Sequence, residues 1–140
     1  MGRWFLPVAA WIGVIFLSST SSAGNLCTQV FQLFSIKLRG YAPNYSLGIL
    51  SFLAEKSLHV IMFLVLGTLL WRAIKAIEDV RGKIAVILSV GLLIGSASEF
   101  LQRFFPGRDP SVRDILINLA GTAIGVAVSL TFARIRQNDL

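Results

Sequence analysis

The sequence predicts an all-α integral membrane protein, a four-helix bundle with an interfacial helix in its first extracytoplasmic connection. Of its 140 residues, 55% are hydrophobic and only 14% are charged, and the mean hydropathy is +0.75. Soluble chains carry about 25% charged residues, whereas about 20 apolar residues of helix cross about 30 Å of hydrocarbon. We therefore predict a single transmembrane domain over residues 1–140, without a soluble module.

Four apolar segments are long enough to be considered as spans. They cover about residues 4–19, 57–74, 84–104 and 115–133. A short charged loop, residues 72–83, joins the second span to the third. Between the third and fourth spans, Pro106, Gly107 and Pro110 predict a turn, because proline and glycine end one helix before the next begins.

The first connection, residues 20–56, is the longest. Leu26, Val30, Leu33 and Phe34 recur at helical spacing, which predicts a short amphipathic helix lying at the membrane interface. The apolar segment 46–54 that follows predicts a partial helix leading into the second span.

The first 24 residues also resemble a secretory signal. Arg3 precedes an apolar run, and Ser21, Ser22 and Ala23 imitate a cleavage site. We expect this segment to be retained as the first span, because an even number of spans places the charges of the remaining chain well.

The net charge of +6 does not indicate a nucleic-acid partner, because the basic residues are dispersed between apolar segments. A single cysteine, Cys27, excludes an intramolecular disulfide. With one histidine and no Cys/His ligand spacing, the sequence predicts neither a metal site nor a cofactor.

The distribution of basic residues predicts the topology. Seven of the 13 Lys and Arg residues fall on the side of the two termini and six fall on the other side. Four of those six lie beside acids with which they can pair, and discounting them leaves a clear excess on the side of the termini. Cytoplasmic loops are enriched in Lys and Arg, so both termini are expected in the cytoplasm. The four discounted residues are Lys56, Arg103, Arg108 and Arg113.

Three of the predicted spans each carry a polar pair near one end. The pairs have i, i+3 or i, i+4 spacing, which places both members on one helical face. In the third and fourth spans, glycines continue that face deeper into the membrane, as expected where helices pack closely. In the second span, Phe63 and Gly67 continue the face of the polar pair. The pairs are Lys56 with His59, Glu99 with Gln102, and Asp114 with Asn118.

Two interpretations of these polar residues remain open. In the first, Glu99, Arg108 and Asp114 only tie helix ends together, and Asp114 caps the fourth span. In the second they form a functional site, since ionisable groups at membrane depth usually mark one. Arg108 then lies over the cluster, where its planar guanidinium binds a carboxylate or phosphate bidentately.

The second half of the chain carries a motif of charged, amide, proline and glycine residues that resembles the signature of the VanZ-like membrane protein family. Weaker matches are Ser18 and Ser19 after the first span, and Lys56 with His59. The resemblance covers about residues 4–130. It implies a small bacterial envelope protein, and the family namesake is associated with reduced susceptibility to the glycopeptide teicoplanin. The motif consists of Glu99, Gln102, Phe104, Pro106, Gly107, Arg108, Ser111, Asp114, Asn118 and Gly121.

These observations lead to a functional hypothesis. We expect a multi-pass protein of the bacterial cytoplasmic membrane whose outward-facing polar pocket binds an anionic envelope ligand, either a lipid phosphate or a lipid-linked wall precursor. Membrane lipids are the expected partners. The ligand-binding residues would be Lys56, His59, Glu99, Gln102, Arg108, Asp114 and Asn118.

The alternative is a membrane-embedded enzyme that modifies such a ligand by acid–base chemistry. Glu99, His59 and Asp114 are its candidate catalytic residues, with Arg108 stabilising developing negative charge. No nucleophile is fixed by the motif, and Ser18, Ser19 and Ser111 are only candidates.

Cysteine labelling tests the predicted topology. In a chain whose Cys27 is replaced by alanine, a cysteine at Asp109 should react with an impermeant thiol reagent in intact cells, because the turn between the third and fourth spans lies outside. A cysteine at Asp79 should remain unlabelled until the membrane is permeabilised. The reverse pattern would contradict the topology and the outward orientation of the site.

Overall fold

The structure is a computed structural model that describes residues 2–20, 44–74, 77–106 and 110–138. Within these ranges it confirms the all-α class. A 3-10 turn, Gly2–Trp4, precedes α1 (Phe5–Ser18); then come α2 (Asn44–Ala73), α3 (Val80–Gln102) and α4 (Val112–Asn138). The predicted interfacial helix, around residues 26–34, lies outside the described residues.

Three helices are long and apolar enough to cross a membrane. These candidate spans are Phe52–Ala73, Val80–Gln102 and Val112–Arg136. The predicted first span corresponds to α1, which is apolar but has only 14 residues. At 1.5 Å per residue its length is about 21 Å, shorter than a hydrocarbon core of about 30 Å.

The helices extend beyond the predicted apolar segments. α2 begins at Asn44, so the partial helix expected over residues 46–54 is continuous with the second span. Similarly, α3 begins at Val80 rather than near residue 84. Hydropathy marks the part of a helix that fits the hydrocarbon, whereas backbone hydrogen bonding continues past that boundary.

The early start of α3 has a local cause in Asp79. Its Oδ2 accepts a hydrogen bond from the Gly82 N–H at 2.7 Å, and its Oδ1 accepts one from the Arg81 N–H at 3.3 Å. This is N-capping, in which a side-chain oxygen satisfies otherwise unpaired N–H groups of the first turn. Because Asp79 caps the helix, the neighbouring exposed Glu78 is the better position for the cytoplasmic labelling control.

Glycines allow α2 and α4 to pack at backbone distance. A Cβ added to Gly121 would lie 2.6 Å from the Val60 carbonyl oxygen, and one added to Gly125 would overlap the Leu64 carbonyl oxygen. The helices run in the same direction, since successive positions of α2 meet successive positions of α4. This contact is the most extensive one between described helices.

The other two helices pack on this pair in the opposite direction. On α3, a Cβ added to Gly91 would lie 2.6 Å from Thr122 Oγ1, and one added to Gly95 would lie 3.3 Å from Asn118 Cβ. On α1, the Trp11 indole N–H donates to the Met62 carbonyl oxygen of α2 at 2.8 Å. The shared apolar core contains Val8, Ile15, Phe63, Leu66, Leu70, Ile87, Ile94 and Val126.

Replacing Gly125 by alanine should destabilise the bundle, because the new methyl group would meet backbone atoms of α2 that cannot move cheaply. We expect a loss of about 1–3 kcal/mol, as for other overpacked cores, seen as a lower melting temperature in detergent. Gly13→Ala is the matched control, since nothing lies within 4 Å of its added Cβ. Equal melting temperatures for the two variants would contradict the close approach of α2 and α4.

Candidate functional site

The three predicted polar pairs meet at one end of the bundle. The middle of α2 and the start of α4 lie there beside the end of α3. We call this group the polar cluster. It comprises Lys56, His59, Glu99, Gln102, Asp114 and Asn118.

An ion pair joins α2 to α4 within the polar cluster. Lys56 Nζ lies 2.7 Å from both carboxylate oxygens of Asp114, and it donates its hydrogen bond to Oδ2. Oδ1 is at ion-pair distance but accepts no hydrogen bond among the described residues. The side chains are 18% and 7% exposed, so the ammonium group is the more accessible partner.

Glu99 joins the end of α3 to the start of α4. Its Oε2 accepts a hydrogen bond from the Ser111 backbone N–H at 3.1 Å, and its Oε1 accepts one from Gln102 Nε2 at 3.3 Å. Glu99 is only 3% exposed and is close enough to His59 and Asp114 for their charges to act on it. Its carboxyl group therefore has a structural role whatever else it does.

His59 and Asn118 form the deepest contact between α2 and α4 in the polar cluster. His59 Nδ1 lies 3.0 Å from Asn118 Oδ1, and with the amide in this orientation the imidazole donates from Nδ1. In the neutral ring Nε2 is then the basic nitrogen. Thr122 Oγ1 donates to the Asn118 carbonyl oxygen, and Asn118 itself is fully buried.

Two buried polar atoms of the polar cluster have no hydrogen-bond partner among the described residues. They are Asp114 Oδ1 and Asn118 Nδ2, which belong to positions four apart on α4. If the Asn118 amide were turned by 180°, its Nδ2 would donate to His59, but its own Oδ1 would then lack a partner. A buried group without a partner costs about 1–3 kcal/mol, so a water molecule or a ligand group that accepts from Asn118 Nδ2 would be stabilising. Asp114 Oδ1 is already compensated by Lys56 Nζ at 2.7 Å.

Basic residues surround the exposed side of the polar cluster. Arg103 and Arg113 are exposed at the end of α3 and the start of α4, and the Arg103 guanidinium lies 5.5 Å from the centre of the Phe100 ring. Arg108, which we expected over the polar cluster, lies outside the described residues. Its place over the polar cluster, and the bidentate contact with a carboxylate or phosphate that its guanidinium would make there, therefore stay predictions.

The three candidate serines make local contacts. Ser18 Oγ and Ser19 Oγ both donate to the Ile15 carbonyl oxygen of their own helix. Ser111 uses its backbone N–H for Glu99, and its Oγ accepts a hydrogen bond from the Arg113 backbone N–H. The contact with Glu99 thus brings Ser111 to the polar cluster.

Sequence reasoning missed two features of this site. One is Thr122, which is fully buried between Gly91 and Gly67 and anchors the backbone of Asn118. From helical spacing, Gly121 or Thr122 can continue the face of Asp114 and Asn118, but the spacing does not indicate this hydrogen bond. The other is the hydrogen bond from the Ser111 backbone N–H to Glu99, which a pattern of side chains cannot indicate. Within the described residues, no three His, Cys, Asp or Glu side chains are grouped so that they could hold a metal ion.

Comparison with known proteins identifies the family. The family model described as VanZ/LLP1 matches residues 4–133, nearly the whole chain. Neither the curated proteins nor the solved structures yield a match to this chain. The extent of the family match, over α1 to α4 and all six residues of the polar cluster, shows that the chain belongs to the VanZ/LLP1 family.

Proposed function

We propose that this protein acts in the bacterial cell envelope by binding an anionic group, a lipid phosphate or a lipid-linked wall precursor, at the polar cluster. The observation that carries the proposal is the order of charges in that cluster. Lys56 and His59, the members that can be cationic, are partly exposed, whereas the acids Glu99 and Asp114 are buried beneath them. A ligand approaching from the membrane surface therefore meets positive charge first.

The contacts of Lys56 leave it able to bind an anion. An ammonium group has three donors, and the hydrogen bond to Asp114 uses one of them. The neighbouring Phe52 ring, 5.3 Å from Nζ, offers a cation–π contact but no acceptor. Asp114 thus holds the ammonium group of Lys56 in position at the edge of the polar cluster. Because this hydrogen bond restricts rotation of the ammonium group, its remaining N–H donors point in set directions.

Two buried atoms near Lys56 that form no hydrogen bond within the described residues support a ligand with a second polar group. Asn118 Nδ2 is a donor and Asp114 Oδ1 is an acceptor. A bare anion would be repelled by Oδ1, whereas a hydroxyl group or a water molecule can donate to Oδ1 and accept from Nδ2. We propose that the anionic group sits at Lys56 with a hydroxyl or water beneath it.

The location of the polar cluster supports an envelope ligand. With both termini in the cytoplasm, as the Lys and Arg distribution predicts, the polar cluster faces outward at headgroup depth of the cytoplasmic membrane. Lipid phosphates and lipid-linked wall precursors are found there. The family namesake is associated with reduced susceptibility to the glycopeptide teicoplanin. By analogy, we propose that teicoplanin tolerance depends on the polar cluster.

One observation favours the second candidate function, a membrane-embedded enzyme. The Asn118 side chain orients the His59 ring and leaves Nε2 as a base, with Glu99 near enough to influence it. Mass spectrometry of lipid extracts from cells with and without the protein separates the two functions. Unchanged lipid masses are expected for a binding protein, and a new or depleted species would establish turnover instead.

Two conservative substitutions test the binding function. Arg108→Lys keeps the charge but loses the bidentate fork, and Glu99→Gln keeps an oxygen acceptor for Ser111 while removing the charge. Each variant should melt within a few degrees of wild type in detergent, yet lower teicoplanin tolerance to the level of cells lacking the protein.

The matched controls are Arg134→Lys and Glu78→Gln, which make the same chemical changes at exposed positions at the other end of the bundle. They should retain full tolerance. Full tolerance in the two test variants as well would refute the site, and loss of tolerance together with a large fall in melting temperature would favour a purely architectural role.

A further inference from the structure

A second group of charged and aromatic residues lies at the opposite end of the bundle from the polar cluster. Arg72 is 16 positions after Lys56 on α2, which corresponds to about 24 Å along the helix axis. The group, which we call the indole–cation cluster, comes from the 3-10 turn, the end of α2 and the start of α3. Its members are Arg3, Trp4, Trp71, Arg72 and Lys83.

Two guanidinium groups converge on one indole ring. Arg3 Cζ lies 5.9 Å and Arg72 Cζ 5.3 Å from the centre of the Trp4 ring. Both arginines are exposed, and neither forms an ion pair with a carboxylate of the described residues. The ring attracts both cations but does not neutralise them, so two like charges are held near each other without a counterion from this part of the chain.

A second indole–cation pair adjoins the first. Lys83 Nζ of α3 lies 4.3 Å from the centre of the Trp71 ring, and Trp71 precedes Arg72 directly. Both tryptophans are half-buried, as is typical of side chains at the boundary between hydrocarbon and headgroups. The indoles therefore place the three cations at the depth of lipid phosphates.

No described carboxylate forms an ion pair with Arg3 or Arg72. Of the two described acids at this end, Asp79 is occupied in capping α3, and Glu78 is exposed on the connection before it. Charge complementarity thus favours an anionic occupant, and the amphipathic rings favour one with an apolar tail.

We propose that the indole–cation cluster is a binding site for an anionic phospholipid, whose phosphate lies between Arg3 and Arg72 and whose acyl chains lie along the apolar helices. The site occupies the leaflet opposite the polar cluster. It anchors the start of α1 to the end of α2 through a shared lipid headgroup. The proposal does not depend on the function of the polar cluster.

Tryptophan fluorescence of the full chain in phosphatidylcholine vesicles tests this site. Brominated phosphatidylglycerol quenches a tryptophan that it contacts, so Trp4 and Trp71 report directly on lipid at the site. At equal mole fraction, it should quench more than brominated phosphatidylcholine, with a relative binding constant on the order of tenfold, as expected for two cations at an anionic headgroup.

The variant R3Q/R72Q should reduce this preference to near unity. The matched control is R134Q/R136Q, which removes the same charge at the same end of the bundle, where neither arginine contacts a described indole. It should keep the wild-type preference. Equal losses in both double variants would show diffuse surface attraction and overturn the site.

Two further results would also overturn the proposal. One is equal quenching of the wild type by both lipids. The other is relief of the selective quenching by inorganic phosphate but not by chloride of equal ionic strength, which would make a soluble anion the occupant. We expect phosphate not to relieve the quenching. We also expect the preference for phosphatidylglycerol to be retained in R134Q/R136Q and lost in R3Q/R72Q.

Discussion

The close contact of α2 with α4 is the constraint on which the rest of the structure depends. Gly121 and Gly125 let the two backbones meet, and that approach brings Lys56 to Asp114 and His59 to Asn118. In a membrane, helices gain little from hydrophobic burial against each other, so small residues and polar contacts determine how they associate. The glycine contact and the polar cluster are therefore two parts of one interface, and a change in the first alters the second.

The arrangement of the polar cluster is better explained by the way it positions charged groups than by a contribution to the stability of the bundle. Desolvating an ion pair offsets much of its attraction, so the pair of Lys56 and Asp114 is weak evidence for a stabilising role. Asn118 Nδ2 has no hydrogen-bond partner among the described residues, although a purely architectural network would be expected to satisfy its members. In the proposed function, the buried carboxylate of Asp114 keeps the Lys56 cation in a fixed place, as binding an anion requires.

Part of this arrangement could be predicted from the sequence. Apolar length and helical spacing identified the helices and the faces carrying Lys56, Glu99 and Asp114, because both signals are local. The partners could not be identified in the same way. The described contacts pair Lys56 with Asp114 and the Ser111 backbone N–H with Glu99, and such pairing depends on the relative rotation and depth of the helices. The beginning of α2 was predicted to within a few residues, because the apolar segment 46–54 indicated a helix that leads into the second span, and α2 begins at Asn44.

The most direct test of the account is the affinity of the full chain for a polyprenyl phosphate, measured by native mass spectrometry, in wild type and in the variant Lys56→Gln/Asp114→Asn. This double change removes both charges of the pair together, so no unpaired charge is left buried, and amide groups replace the lost donors and acceptors. The account predicts a melting temperature within a few degrees of wild type and an affinity at least about tenfold weaker, a loss of about 1.4 kcal/mol. Unchanged affinity would contradict the claim that the polar cluster binds an anion.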